Sequence, residues 1–86
     1  MKHFAVLLRM KSEELTRKYR PDHTAYLERG RAEGFVFANG RFMDGTGGLV
    51  IYKGESIEEV EARVKKDPFV IHGAREYEIH EWEMIT

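Results

Sequence analysis

Eighty-six residues, 42% hydrophobic and 34% charged, suffice for one globular domain and are too few for two separate cores. Lys and Arg total 14 against 15 Asp and Glu; the net charge of -1 supplies no global attraction to nucleic acid or to acidic lipid. Cysteine is absent, which excludes disulfides, thiolate catalysis and zinc–thiolate sites.

Residues 3–10 read as a strand. Phe4, Val6, Leu8 and Met10 share one face by the period of two, and Ala5 and Leu7 share the other. A strand apolar on both faces is expected to be covered on both. The apolar stretch Phe4 to Leu8 is too short for a secretory h-region or a membrane span, so the cytoplasm is the expected compartment. Ser12 caps a short helix with Glu13 and Glu14 in its first turn, where the helix dipole favours acids. Arg17, Lys18 and Arg20 read as its solvated end. Pro21 is expected to interrupt it and open a second helix over 21–33, with Tyr26, Leu27 and Gly30 on one side and Gly34 as the stop.

Residues 35–39 form a second strand and Leu49 to Tyr52 a third, antiparallel across a glycine-rich loop. Ser56 and Glu59 make a capping box ahead of Ile57, Val60 and Val64, the buried stripe of an amphipathic helix. Residues 67–73 are a turn. A last strand runs from about Arg75 to Ile85, with an apolar phase shift between Tyr77/Ile79 and Trp82/Met84 that a bulge or two different partners would explain.

The order β-α-β-β-α-β predicts a single α+β domain over 1–86 with the ferredoxin-like fold: a four-stranded antiparallel sheet with its helices on one face. The other face, with residues such as Ala5, Leu7, Val36 and Ala38, is then an uncovered apolar patch. The expected partner is a second copy, giving a homodimer through the open sheet face; the small core points the same way. Tyr52 and Trp82 read as core or interface aromatics.

His23 is the first candidate for chemistry. In the first turn of the second helix, on the face of Tyr26, Leu27 and Gly30, its ring is expected to be neutral and able to act as a base; the alternative is a satisfied core or capping histidine. Asp67 before Pro68 is a turn cap by local pattern. The topology also puts it near one end of the sheet, where a carboxylate would fix the tautomer of His23 and free the other ring nitrogen. Arg20 suits a carboxylate or enolate, because a guanidinium pairs bidentately with planar acids. Asp44 is either a second acid or a turn residue. The glycines at 40, 45, 47 and 48 match no phosphate-binding motif and instead let a hairpin loop bend near a ligand or partner. His23, His72 and Asp67 have the residue types of a two-His, one-carboxylate metal site, but no short-spacing motif supports one, and neither a metal nor an organic cofactor is expected.

Arg20-Pro21-Asp22-His23, the mid-chain glycines, and Asp67-Pro68-Phe69 with Gly73 six residues after Asp67 occur together in this order. By these motifs the chain resembles the YciI-like (YCII-related) proteins over nearly its whole length. The resemblance implies a ferredoxin-like homodimer similar in architecture to muconolactone isomerases and other dimeric α+β barrels. It implies an active centre made of a His–Asp pair, here His23 and Asp67, with Arg20, Asp44 and Phe69 as the substrate-binding candidates. Two positions depart from the pattern: Gly40-Arg41 stands where relatives often have Gly-Pro, and His72 where a small residue is usual.

The expected activity is a cofactor-free isomerisation or an elimination such as dehydrochlorination on a small cyclic or carboxylated molecule. The alternative is a non-catalytic ligand-binding or regulatory dimer, favoured if His23 and Asp67 stand more than a water bridge apart. Nucleic-acid binding lacks support, since no RNP1-type run of basic and aromatic residues is present.

Overall fold

The computed structural model describes residues 1–86. Seven elements follow in order: β1 (Lys2–Met10), α1 (Glu13–Glu33), β2 (Val36–Arg41), β3 (Gly47–Gly54), α2 (Ile57–Val64), α3 (Pro68–Ile71) and β4 (Arg75–Trp82). The strands form one antiparallel sheet in the order β2-β3-β1-β4, the ferredoxin-like arrangement, with β1 paired to both β3 and β4. No helix is long and apolar enough to cross a membrane.

The period of two sorts each strand between a helix face and an open face. Phe4, Val6 and Leu8 of β1 and Val50 and Tyr52 of β3 are buried beneath Tyr26 and Leu27 of α1 and Val60 and Val64 of α2. Tyr77 and Ile79 of β4 pack at the margin of this core. Trp82 pairs with His3 on the opposite face, and the β1–β4 register runs without interruption. The apolar phase shift in β4 therefore reflects two faces meeting two environments, and no bulge is present there.

The bulge lies in β2 instead. Val36 pairs with Tyr52, and Ala38 pairs with its neighbour Ile51. The register slips by one residue at Phe37, so Phe37 and Ala38 both lie on the open face. Val36, read from the sequence as an open-face residue, belongs to the core at 3% exposure. Beyond the bulge the alternation is inverted. Asn39 and Arg41 turn to the helix side, opposite Val50 and Gly48, where an unbroken strand would have turned them outward.

Helix α1 departs from the expected pair of helices. It runs unbroken for 21 residues with Pro21 inside it. Ser12 Oγ accepts the Leu15 N–H at 3.1 Å, and Gly34, at φ 91°, closes the other end with its N–H on the Gly30 carbonyl. Pro21 sits on the exposed face, where water can bond the Arg17 carbonyl that the missing N–H leaves free. Buried residues on both sides of the proline, Thr16 before it and Tyr26 and Leu27 after it, hold the two halves to one sheet. Packing here outweighs the local cost of the proline. Gly30 leaves no room for a side chain against its neighbours: a Cβ there would stand 2.6 Å from Val36 Cγ2 and 2.8 Å from Phe35 Cε1.

The capping box of α2 forms in a shifted version. Ser56 Oγ accepts the Glu59 N–H at 3.2 Å, and the Glu59 carboxylate reaches back to the N–H of Glu55. Val60 and Val64 are buried as expected, whereas Ile57, at the helix start, is 45% exposed. The turn at 67–73 contains α3, a single helical turn with Pro68 in its first position and Asp67 as its cap.

Candidate functional site

Continuity through Pro21 decides what α1 presents. Arg20, His23, Thr24 and Leu27 fall at i, i+3, i+4 and i+7, one face of an unbroken helix, and all four line a cavity between α1 and the sheet. Leu8, Arg41 and Gly48 contribute from three strands, and Phe69 and Arg75 from the far side. His23 is in the interior of α1, not in a first turn. The helix N-terminus therefore has no influence on its ring, contrary to the expectation from a break at Pro21. A histidine at this depth answers to its contacts.

Those contacts fix the ring. Nδ1 lies 2.8 Å from Oδ1 and 3.0 Å from Oδ2 of Asp67. The imidazole stacks on Phe69 with centroids 3.9 Å apart and planes 10° from parallel. Asp67 is fully buried, and its Oδ1 also accepts the Phe69 N–H at 2.9 Å as the cap of α3. A carboxylate that accepts from Nδ1–H leaves Nε2 of a neutral ring bare. No protein group bonds Nε2, and the His23 side chain keeps 13% exposure.

The pair meets because α1 and α2 are pinned together. Tyr26, almost one turn after His23, donates its hydroxyl to the Arg63 carbonyl at 2.6 Å. That bond holds the end of α2 against α1, and four residues later the chain delivers Asp67 to His23. Burial pushes the Tyr26 phenol up from its ordinary range, so it remains a donor.

The other candidates separate. Arg20 and Phe69 line the cavity with His23. Asp44 does not: it is exposed at the hairpin tip, where Oδ1 accepts the Thr46 N–H at 3.0 Å and the Thr46 hydroxyl at 2.7 Å. These bonds, an Asx-type turn, pull its carboxyl below the ordinary range. His72 is exposed and stacks on Tyr19 at 3.7 Å, away from the cavity lining. No three His, Asp or Glu side chains gather as metal ligands, so His23, His72 and Asp67 form no such set. Of the loop glycines, Gly47 has the plainest reason: at φ 143° its hydrogen faces the Leu8 carbonyl, which a Cβ would meet at 2.1 Å.

A family model for the YCII-related domain matches residues 2–83. The chain belongs to the YCII-related family. It is 32% identical over 79 residues to YjpA of Bacillus subtilis (strain 168), an uncharacterised protein, with 92% of this chain and 93% of YjpA covered. Among solved structures it is similar to 5-chloro-2-hydroxyhydroquinone dehydrochlorinase from Burkholderia phenoliruptrix AC1100, in complex with 2,5-dihydroxybenzoquinone. The TM-score is 0.80 and the identity 24%, over 94% of this chain and 93% of that one. At that identity the likeness is one of fold.

In this YCII-related domain the cavity is about 150 Å³, a volume that holds a single six-membered ring. Its wall contains residues that sequence reading missed: Arg41, Arg75, Thr24 and Asn39. Thr24 was recoverable, one position from His23 on a helix treated as unbroken. Arg41 and Asn39 were hidden by the bulge, which inverts the face they would otherwise occupy. Arg75 opens a strand and carries no local signal.

Proposed function

We propose that this chain is a small-molecule enzyme working by acid/base chemistry, with His23 as the base and Asp67 as its orienting partner. The observation that carries the reading is the His23–Asp67 contact at 2.8 Å, with the ring held on Phe69 and Nε2 free beside a ring-sized cavity. Neutral His23 takes a proton from the substrate at Nε2. The electron pair left behind forms a new double bond, and either a leaving group departs with its own pair or the proton returns at another carbon. The first course is an elimination and the second an isomerisation. Asp67 holds the imidazole in the required tautomer and offsets the imidazolium charge that develops. Arg20 offers its guanidinium to a carboxylate or enolate.

The fold neighbour named above is a dehydrochlorinase in complex with a quinone, which supports an elimination on a small oxygenated ring as the first chemistry to try. Separation of His23 from Asp67 would favour the alternative, a non-catalytic binding module, and their contact weighs against it. The reading includes a homodimer built on the open face, where Ala5, Leu7, Phe37, Ala38 and Leu49 lie together, and a cytoplasmic location.

The test is a screen of chlorinated hydroquinones and small cyclic acids for chloride release or a change in ultraviolet absorbance. His23→Ala should bring any activity found to background while circular dichroism stays native. A His23→Ala protein that turns over normally would refute the mechanism.

A further inference from the structure

The acid/base reading leaves the strongest electrostatic feature of the cavity without a partner. Arg20, Arg41 and Arg75 line it, and no Asp or Glu does. None of the three forms an ion pair within the chain. Two of them, Arg20 and Arg41, are at the exposed rim, where water solvates them. Arg75 is different: it is only 6% exposed. Taking a guanidinium out of water with no carboxylate beside it is costly.

Arg75 is nonetheless held in place. Its Nε donates to Thr16 Oγ1 at 3.2 Å and its Nη1 to the Leu8 carbonyl at 3.3 Å. Its guanidinium carbon lies 4.6 Å from the centre of the Phe69 ring. Two of its three nitrogens are thereby committed, and Nη2 has no bond to the protein. Phe69 is also the platform for His23, so one ring sets the positions of both the cation and the base. Burial and the nearby Arg20 both disfavour the Arg75 charge, and the Asp67 carboxylate, already committed to His23 and the Phe69 N–H, offsets them only in part. An arrangement that concentrates like charge around a polar void is complementary to an anion.

We propose that this cavity takes a ring-sized planar organic anion, a carboxylate or an ionised enol, with its oxygens on Nη2 of Arg75 and flanked by Arg20 and Arg41. The proposal rests on the reading above that the cavity is the substrate site. It makes the negative charge a requirement of the site and assigns its anchor to Arg75. An anion seated there lies next to His23, so the proton to be removed faces Nε2. The bulge at Phe37 has a role in this: it turns Arg41 inward to close the ring of positive charge.

Titration of the full chain by heteronuclear NMR, with benzoate and separately with the neutral isostere benzamide, tests this. Benzoate should saturate and shift the Arg75 side-chain resonances, and benzamide should bind at least tenfold more weakly. Arg75→Gln should weaken benzoate by about tenfold or more, the range for losing a charge-assisted hydrogen bond. Should that variant fail to fold, Arg20→Gln and Arg41→Gln at the exposed rim decide the matter, each weakening benzoate severalfold with benzamide unchanged. No saturable benzoate binding, equal binding of the two compounds, or unchanged benzoate affinity in these variants would overturn the proposal. A chain that binds benzoate through Arg75 but turns nothing over retains the anion site and loses the enzymatic reading; turnover that needs His23 without any preference for benzoate does the reverse.

Discussion

Asp67 serves two donors at once, the Phe69 N–H that starts α3 and the Nδ1–H of His23. The first bond holds the carboxylate still, and the second hands that rigidity to the imidazole. A buried carboxylate with no such bonds would be destabilising, so the cap is part of what lets the pair exist. Tyr52 is a contrast at the same scale. It is 1% exposed, and its hydroxyl has no partner. Burial and the nearby Asp67 charge both push its ionisation upward, so the hydroxyl stays neutral and desolvated. Tyr52→Phe should therefore leave stability unchanged or raise it by about 1 kcal/mol in urea denaturation. A loss of more than about 1 kcal/mol would mean that the hydroxyl is bonded after all.

At the scale of elements, α1 holds the most informative disagreement with the sequence. Pro21 breaks the local hydrogen-bond ladder, and local rules put a boundary there. Burial on both sides of it keeps a single helix, and that single helix is what gathers Arg20, His23 and Thr24 on one face. The proline still carries its cost, about 3 kcal/mol in a helix interior. Pro21→Ala should raise unfolding stability by about 1–3 kcal/mol, and unchanged stability would indicate two helices that meet at residue 21. Legible in the sequence were the features set by local chemistry: the strand alternation of β1, the Ser12 and Ser56 caps, the Gly34 stop and the Asp67-Pro68 turn. Illegible were those set by tertiary packing: the survival of α1, the inversion of β2 past Phe37, and the exposure of Ile57. His23 and Asp67 were singled out in the sequence because the family resemblance pairs them, and the structure puts them in contact. Arg41 and Arg75, which depend on the bulge and on burial, were not singled out.

The whole molecule has one face closed by helices and one left open. On the open face Phe37 is 47% and Trp82 43% exposed, with His3 between them, and Leu7 and Leu49 pair further along the sheet. A patch of large apolar residues on so small a domain is expected to be covered by a second copy. Phe37→Asp should convert a dimer to a monomer in sedimentation equilibrium without loss of secondary structure. A wild-type chain that sediments as a monomer at high concentration would remove the dimer from the proposed function. The cavity lies on the opposite side of the sheet from this patch. His23 chemistry and open-face assembly are therefore separable by mutation.

By holding Nδ1–H, Asp67 should leave His23 with a bare Nε2 toward the cavity. Long-range proton–nitrogen correlation spectra of the imidazole, recorded above its titration, report which nitrogen carries the proton. The Asp67 contact predicts a protonated Nδ1 and an unprotonated Nε2, with the pattern lost in Asp67→Ala. A neutral His23 carrying its proton on Nε2 would contradict the account, since that ring has no lone pair to offer a substrate in the cavity.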